Sequence, residues 1–110
     1  MKKLVAHLGA FAALVVLFAA NGCGEGYPSY CDNKMKCEGG NDNDKSACVD
    51  QLEGNEETAE DYNCGDQYDA LFTCQSDGAS CVQGRYGTQA NCSTQENALQ
   101  TCEQTNSARK

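Results

Sequence analysis

Hydrophobic side chains are distributed very unevenly along this chain. Residues 4–20 are almost wholly apolar, interrupted only by His7 and Gly9, and Lys2 and Lys3 precede them. A positive start, an apolar run and then small residues form the layout of a secretory signal, expected over residues 1–22. The run is short for a bilayer span, and no stop-transfer charge cluster follows it. Beyond it, the strong aliphatic and phenylalanine side chains are only Val49, Leu52, Leu71, Phe72, Val82 and Leu99.

These few apolar residues fall in a helical pattern. Residues 63–74, "NCGDQYDALFTC", and residues 91–102, "NCSTQENALQTC", align without a gap as N-C-x-x-Q-x-x-A-L-x-T-C. Self-similarity this close marks a repeated structural unit. At about 100° per residue, Cys64, Tyr68, Leu71 and Cys74 share one stripe in the first unit. Cys92, Glu96, Leu99 and Cys102 share it in the second. The run Ser93-Thr94-Gln95-Glu96 reads as a capping box, so the second helix is expected to begin just after Cys92 and to fray after Cys102. The first is expected to end near Ser76, before Gly78.

The other segments are read more coarsely. C31-x5-C37-x10-C48 parallels C74-x6-C81-x10-C92, which suggests an older duplication. Short helices are expected over residues 30–37 and 44–52, the latter stopped by Gly54. Residues 38–44 and 84–91 read as matching polar loops, and residues 54–63 as an acidic connection, partly helical from Thr58. The alternation that marks a strand is absent. The fold expected is all-α: a small disulfide-stapled helical hairpin or bundle following a signal peptide.

Composition explains why staples are needed. Once the signal is removed, six Lys and Arg remain against all sixteen acids, a net charge of −10. Ordering costs on the order of 1.5 kcal/mol per residue, and six strong apolar side chains cannot offset that. Covalent links must contribute, and the chain has nine cysteines. The number is odd. Cys23 follows Ala20-Asn21-Gly22, which resembles a bacterial lipobox; Gly22 and Cys23 match the pattern, while Ala20 and Asn21 depart from its preferred Leu and Ala or Ser. If Cys23 is acylated, eight cysteines remain, and eight can all pair. Residues 23–30 then form a lipidated cysteine and short tether, and residues 31–110 a disulfide-rich helical domain.

Two helices about 15 Å long between their cysteines, placed antiparallel, bring Cys64 opposite Cys102 and Cys74 opposite Cys92. The spacing resembles that of twin C-x9-C helical hairpins. Eight cysteines allow on the order of a hundred connectivities, so these pairs are one hypothesis, and the partners of Cys31, Cys37, Cys48 and Cys81 stay open. The opening Tyr30-Cys31 and Lys36-Cys37, with the closing Cys92, Glu96, Ala98-Leu99 and Cys102, resembles small cysteine-rich predicted lipoproteins of Gram-negative bacteria. That resemblance spans nearly the whole mature chain. It implies location and architecture and brings no catalytic motif. In such lipoproteins Gly24, rather than Asp, after the lipidated cysteine implies the outer membrane.

The chemistry available is limited. The only histidine, His7, lies in the signal, which removes Ser–His and Cys–His nucleophile pairs from the mature chain. There is no C-x-x-C and no phosphate-binding glycine motif. No enzyme activity and no resident cofactor are expected, and a strongly acidic surface repels nucleic acid. One candidate metal site stands out. Residues 42–53 place Asp42, Asp44, Ser46, Asp50 and Glu53 at positions one, three, five, nine and twelve of a calcium loop, although Ala47 occupies the position that needs Gly. Five tyrosines could form a recognition patch, or fill a core short of Leu and Ile.

The leading expectation is an exported, lipid-anchored, non-enzymatic envelope protein. It would reach the membrane through its anchor and bind an envelope or extracellular macromolecule. The alternatives are a secreted disulfide-rich effector or inhibitor that uses residues 84–91 as its contact, and a calcium-binding module with weak Ca2+ affinity.

Overall fold

The computed structural model of the chain describes residues 26–109. The expected signal (1–22), the Cys23 lipidation site, the start of the tether (23–25) and Lys110 lie outside the described residues. Among the described residues the fold is predominantly helical: α1 (Tyr27–Glu38), α2 (Asp42–Asp61), α3 (Gly65–Ser76) and α4 (Ser93–Ser107), with a small hairpin of β1 (Ser80–Val82) and β2 (Arg85–Gly87) between the last two helices.

Local chemistry sets the helix ends. Pro28 opens α1, where its fixed φ suits the first turn and its missing N–H costs nothing. Gly39 closes it in the left-handed region at φ 84°, its N–H donating to the Met35 carbonyl at 2.8 Å. At the start of α2, Asn41 Oδ1 accepts from the Asn43 and Asp44 amides at 2.8 and 3.1 Å. The Asp44 carboxylate in turn accepts from the Asn41 amide at 3.0 Å, completing a capping box. Asn63, in the left-handed region at φ 56°, turns the chain out of α2 and into α3.

Several expectations about local structure are corrected. Gly54 does not stop α2, which continues for about two more turns to Asp61. An isolated glycine costs a helix only about 1 kcal/mol, and the packing of the second half of α2 offsets it. A side chain at residue 54 would meet nothing within 4 Å. Gly54→Ala is therefore expected to raise stability by about 0.5–1 kcal/mol, read as a higher denaturant midpoint at unchanged slope. Secondly, α4 does not fray after Cys102 but runs to Ser107. Its added turn places Asn106, which donates to the Tyr62 carbonyl and contacts the sulfurs of Cys64 and Cys102. The Ser93 capping box does not form: Cys92 is the N-cap, and Asn91 Oδ1 accepts from the Ser93 amide at 3.0 Å. Thirdly, residues 84–91 do not match the 38–44 loop, because β2 occupies part of the former while the latter is a tight turn between helices.

α1 folds back on the first half of α2, and α3 packs on the second half, where the Tyr68 hydroxyl donates to the Leu52 carbonyl at 2.9 Å. α4 returns antiparallel along α3. The four disulfides are Cys31–Cys48, Cys37–Cys81, Cys64–Cys102 and Cys74–Cys92. Among the described residues, the fully or nearly buried apolar ones are Cys31, Ala59, Cys64, Tyr68 and Cys92. Three of these five are half-cystines, so sulfur fills much of the interior that aliphatic side chains fill elsewhere. Ala59, Cys64 and Tyr68 form the central cluster, with Tyr27, Tyr62, Leu99 and Cys102 packed against it.

Candidate functional site

The sequence singles out cysteines, a run of acids and the tyrosines, and the fold treats the three groups differently. Cys64 sits at the N-cap of α3 and Cys102 in the later part of α4; Cys74 and Cys92 stand in the reciprocal places. The fold thus brings together Cys64 with Cys102, and Cys74 with Cys92, as the antiparallel arrangement requires. The repeated stripe faces inward at Tyr68, is half-buried at Leu71 and Leu99, and is broken by the exposed Glu96.

The other two bridges follow the older duplication. Cys31–Cys48 closes 17 residues and Cys74–Cys92 closes 18, so corresponding cysteines make corresponding bonds. Cys37 and Cys81, the middle members of the two series, are bonded to each other across 44 residues. The parallel ends there. Cys37 lies in the last turn of α1, whereas Cys81 lies on β1.

The calcium reading of residues 42–53 is overturned. Asp42, Asp44, Ser46, Asp50 and Glu53 all lie in α2. Along a helix the first and last of them are about 16 Å apart, far more than the span of one ion's ligand shell. The Asn41–Asp44 capping box forms the helix where the loop would have to turn. Among the described residues, no group of three or more His, Cys, Asp or Glu is placed to hold a metal.

The tyrosines pack. The rings of Tyr27 and Phe72 meet edge-on with centroids 4.7 Å apart, Tyr30 and Phe72 at 5.5 Å, and Tyr30 and Tyr86 at 5.2 Å. This chain of rings ties α1 to α3 and to the β-hairpin, each contact contributing about 0.5–1.5 kcal/mol beyond area burial. Burial, then a hydrogen bond to the Glu56 carboxylate, pushes the Tyr27 phenol well above its ordinary range. Burial raises Tyr68 as well, against the hydrogen bond from Tyr27. Both phenols therefore keep their protons at neutral pH and stabilise the fold as neutral groups. That contribution is complete below the ordinary tyrosine range near pH 10 and is lost as pH climbs through the raised values.

Two surface features could engage a partner. α2, α3 and α4 leave a half-open groove of about 420 Å³ between them, with Leu52, Tyr68, Leu71, Leu99 and Glu103 among its lining. The second feature is the hairpin. Ser80 pairs with Gly87, Cys81 with Tyr86 and Val82 with Arg85, so Gln83 and Gly84 form the two-residue turn. Both turn residues have positive φ, 51° and 74°. That is the twist a two-residue hairpin needs, and Gly84 supplies it without strain. Val82, next to the turn, is the large apolar side chain most open to solvent among the described residues, at 46% exposure. The Tyr86 amide donates to Glu38 Oε1 at 3.2 Å, anchoring the hairpin to the end of α1.

Sequence reasoning missed this hairpin because three-residue strands are too short for alternation to register. The signal that could have found it is Gln83-Gly84 between Val82 and Arg85, a two-residue spacer with Gly in its second place.

Charge is divided between the ends of the fold. Lys34, Lys36, Lys45 and Arg85 lie on α1, the start of α2 and the hairpin. The ion pairs among the described residues are there: Lys34–Glu38, Lys36–Asp32 and Lys45–Asp32. Hydrogen bonds from Lys36 and then Lys45 hold the Asp32 carboxyl below its usual range, and Lys34 and then the Tyr86 amide do the same for Glu38. Beyond Lys45, α2 carries acids and no Lys or Arg, and so do α3 and α4. The groove is therefore walled by helices that carry no cation past Lys45, with Arg109 following the end of α4. Four disulfides are those of a chain matured in an oxidising, exported compartment. Among the described residues, no helix is long and apolar enough to cross a membrane. No family model, no curated protein and no solved structure matches the chain.

Proposed function

We propose that this chain is a lipid-anchored, non-enzymatic protein of the bacterial cell envelope with a binding or structural role, held at the outer membrane by acylated Cys23. The observation that supports this most is the cysteine count. Eight of the nine cysteines bond among themselves, which leaves Cys23 over. A stable free thiol is uncommon in an oxidising compartment, whereas thioether-linked lipid consumes the sulfur. Multiple acyl chains give the durable anchoring that one chain does not. The acidic surface around the groove suits a basic envelope or extracellular macromolecule and disfavours nucleic acid.

Fractionation of cells with intact mass measurement tests the anchor. The wild-type chain is expected in the membrane fraction, with a mass that includes acyl chains on an N-terminal Cys23. Cys23→Ser is expected to lose that mass and leave the membrane fraction. Wild-type protein in culture medium, beginning at Cys23 without lipid, would establish the second reading, a secreted effector or inhibitor. The hairpin, with Val82 open to solvent beside its turn, favours that second reading.

A further inference from the structure

We propose that Cys37–Cys81 is a thiol–disulfide exchange site, opened by a dithiol reductant while the other three disulfides stay closed. Exchange requires a thiolate to reach a sulfur in line with the bond it breaks, so access controls which disulfide reacts. Each of the other bridges has one sulfur walled in: Cys31 and Cys64 are 0% exposed and Cys92 is 7% exposed. Cys37–Cys81 has no such shelter. Cys37 is half-buried, and Cys81 is exposed on β1.

Space is available beside the bond. Cys37 and Cys81 line an open surface pocket of about 360 Å³ together with Asn33, Lys36, Ala79 and Tyr86. Lys36 is the cation there, its exposed ammonium held 2.6 Å from Asp32 Oδ2. A positive charge at the mouth attracts an incoming thiolate and favours the thiolate that departs. Around the Cys64–Cys102 and Cys74–Cys92 bridges, α3 and α4 carry acids and no Lys or Arg, which repel the same reagent.

The exchange proceeds in two steps. The attacking thiolate bonds to Cys81 Sγ, the S–S bond breaks, and Cys37 leaves as a thiolate that takes a proton from water. The second thiol of the reductant, losing its proton, then attacks its own sulfur in the mixed disulfide and releases Cys81. Two electrons and two protons pass to the protein, and the reductant becomes a disulfide.

Opening this bond has a local effect. It is the covalent tie between the α1–α2 pair and the hairpin, and it spans 44 residues, the longest separation of the four. Once it is open, the hairpin is held to α1 by the Tyr86–Glu38 hydrogen bond and the Tyr30–Tyr86 ring contact. The three shielded bridges keep the helices in place. The site would thus loosen the exposed hairpin without unfolding the domain, and it does not depend on lipidation of Cys23.

The test is graded reduction of the folded chain with dithiothreitol, without denaturant, using Cys23→Ser so that no other thiol reacts. Samples are quenched with acid, alkylated and mapped by peptide mass. Cys37 and Cys81 are expected to be labelled first, roughly tenfold faster than any other pair, while far-ultraviolet circular dichroism stays unchanged. Glutathione in place of the dithiol is expected to leave its adduct on Cys81. Prior labelling of another pair, or opening of all four bonds in one step with loss of helix signal, would overturn the proposal.

Discussion

Full reduction and alkylation of the chain is expected to abolish its cooperative melting transition and most of its helical signal at neutral pH. The reason lies in what the core contains. Of the five buried apolar residues among those described, Cys31, Cys64 and Cys92 are half-cystines, which leaves Ala59 and Tyr68. Isolated helices of twelve to twenty residues are marginal in water without packing. The disulfides close segments of 17 to 44 residues. In the chain-entropy picture each bond contributes about 3–4 kcal/mol, so the four together are comparable to the whole net stability of an ordinary domain, about 5–15 kcal/mol. Circular dichroism melts of the native and alkylated chains make the comparison. A reduced chain that melts as sharply, and at the same temperature, would show that burial alone supports the fold.

Removal of Cys64–Cys102 by paired alanine substitutions is expected to cost the most of any single bridge, about 3–5 kcal/mol. Cys64 belongs to the central cluster with Ala59 and Tyr68, and Cys102 packs against that cluster. Asn106 contacts both sulfurs, so their loss also removes partners from the last turn of α4. Cys74–Cys92 is the internal control. The 64–102 bridge spans 38 residues against 18, and a doubling of loop length alone accounts for about 0.6 kcal/mol of difference. Burial accounts for the remainder. Denaturant midpoints of Cys64→Ala/Cys102→Ala and Cys74→Ala/Cys92→Ala measure the order directly. An equal or larger loss in the second variant would remove the central cluster from its place as the chief support of the fold.

The legible parts of this fold were those where a repeated local pattern carries its own geometry. The shared N-C-x-x-Q-x-x-A-L-x-T-C frame sets two helices, and cysteines three turns apart on one stripe limit how those helices can lie. Tyr68 was visible on that stripe; that its hydroxyl would donate to the Leu52 carbonyl was not, because the partner lies on another helix. The acidic run at 42–53 misled for a related reason. Its oxygen spacing fits a calcium loop, but the Asn41–Asp44 capping box starts a helix at the same place, and a helix spreads those ligands along its length. Gly54 misled because a helix with packing at both ends tolerates one flexible residue.

Read alone, the amino-acid sequence establishes that the domain is helical in pattern, acidic, poor in aliphatic core and rich in cysteines that can pair. Those properties follow from composition and short-range spacing, which act whatever the rest of the chain does. The tertiary structure alone settled that Cys37 bonds to Cys81, that the hairpin of residues 80–87 seats against the end of α1, and that tyrosine rings link α1 to α3 and β2. Each of these joins segments far apart in the chain. Their geometry is set by how the helices stack, and no local preference encodes it.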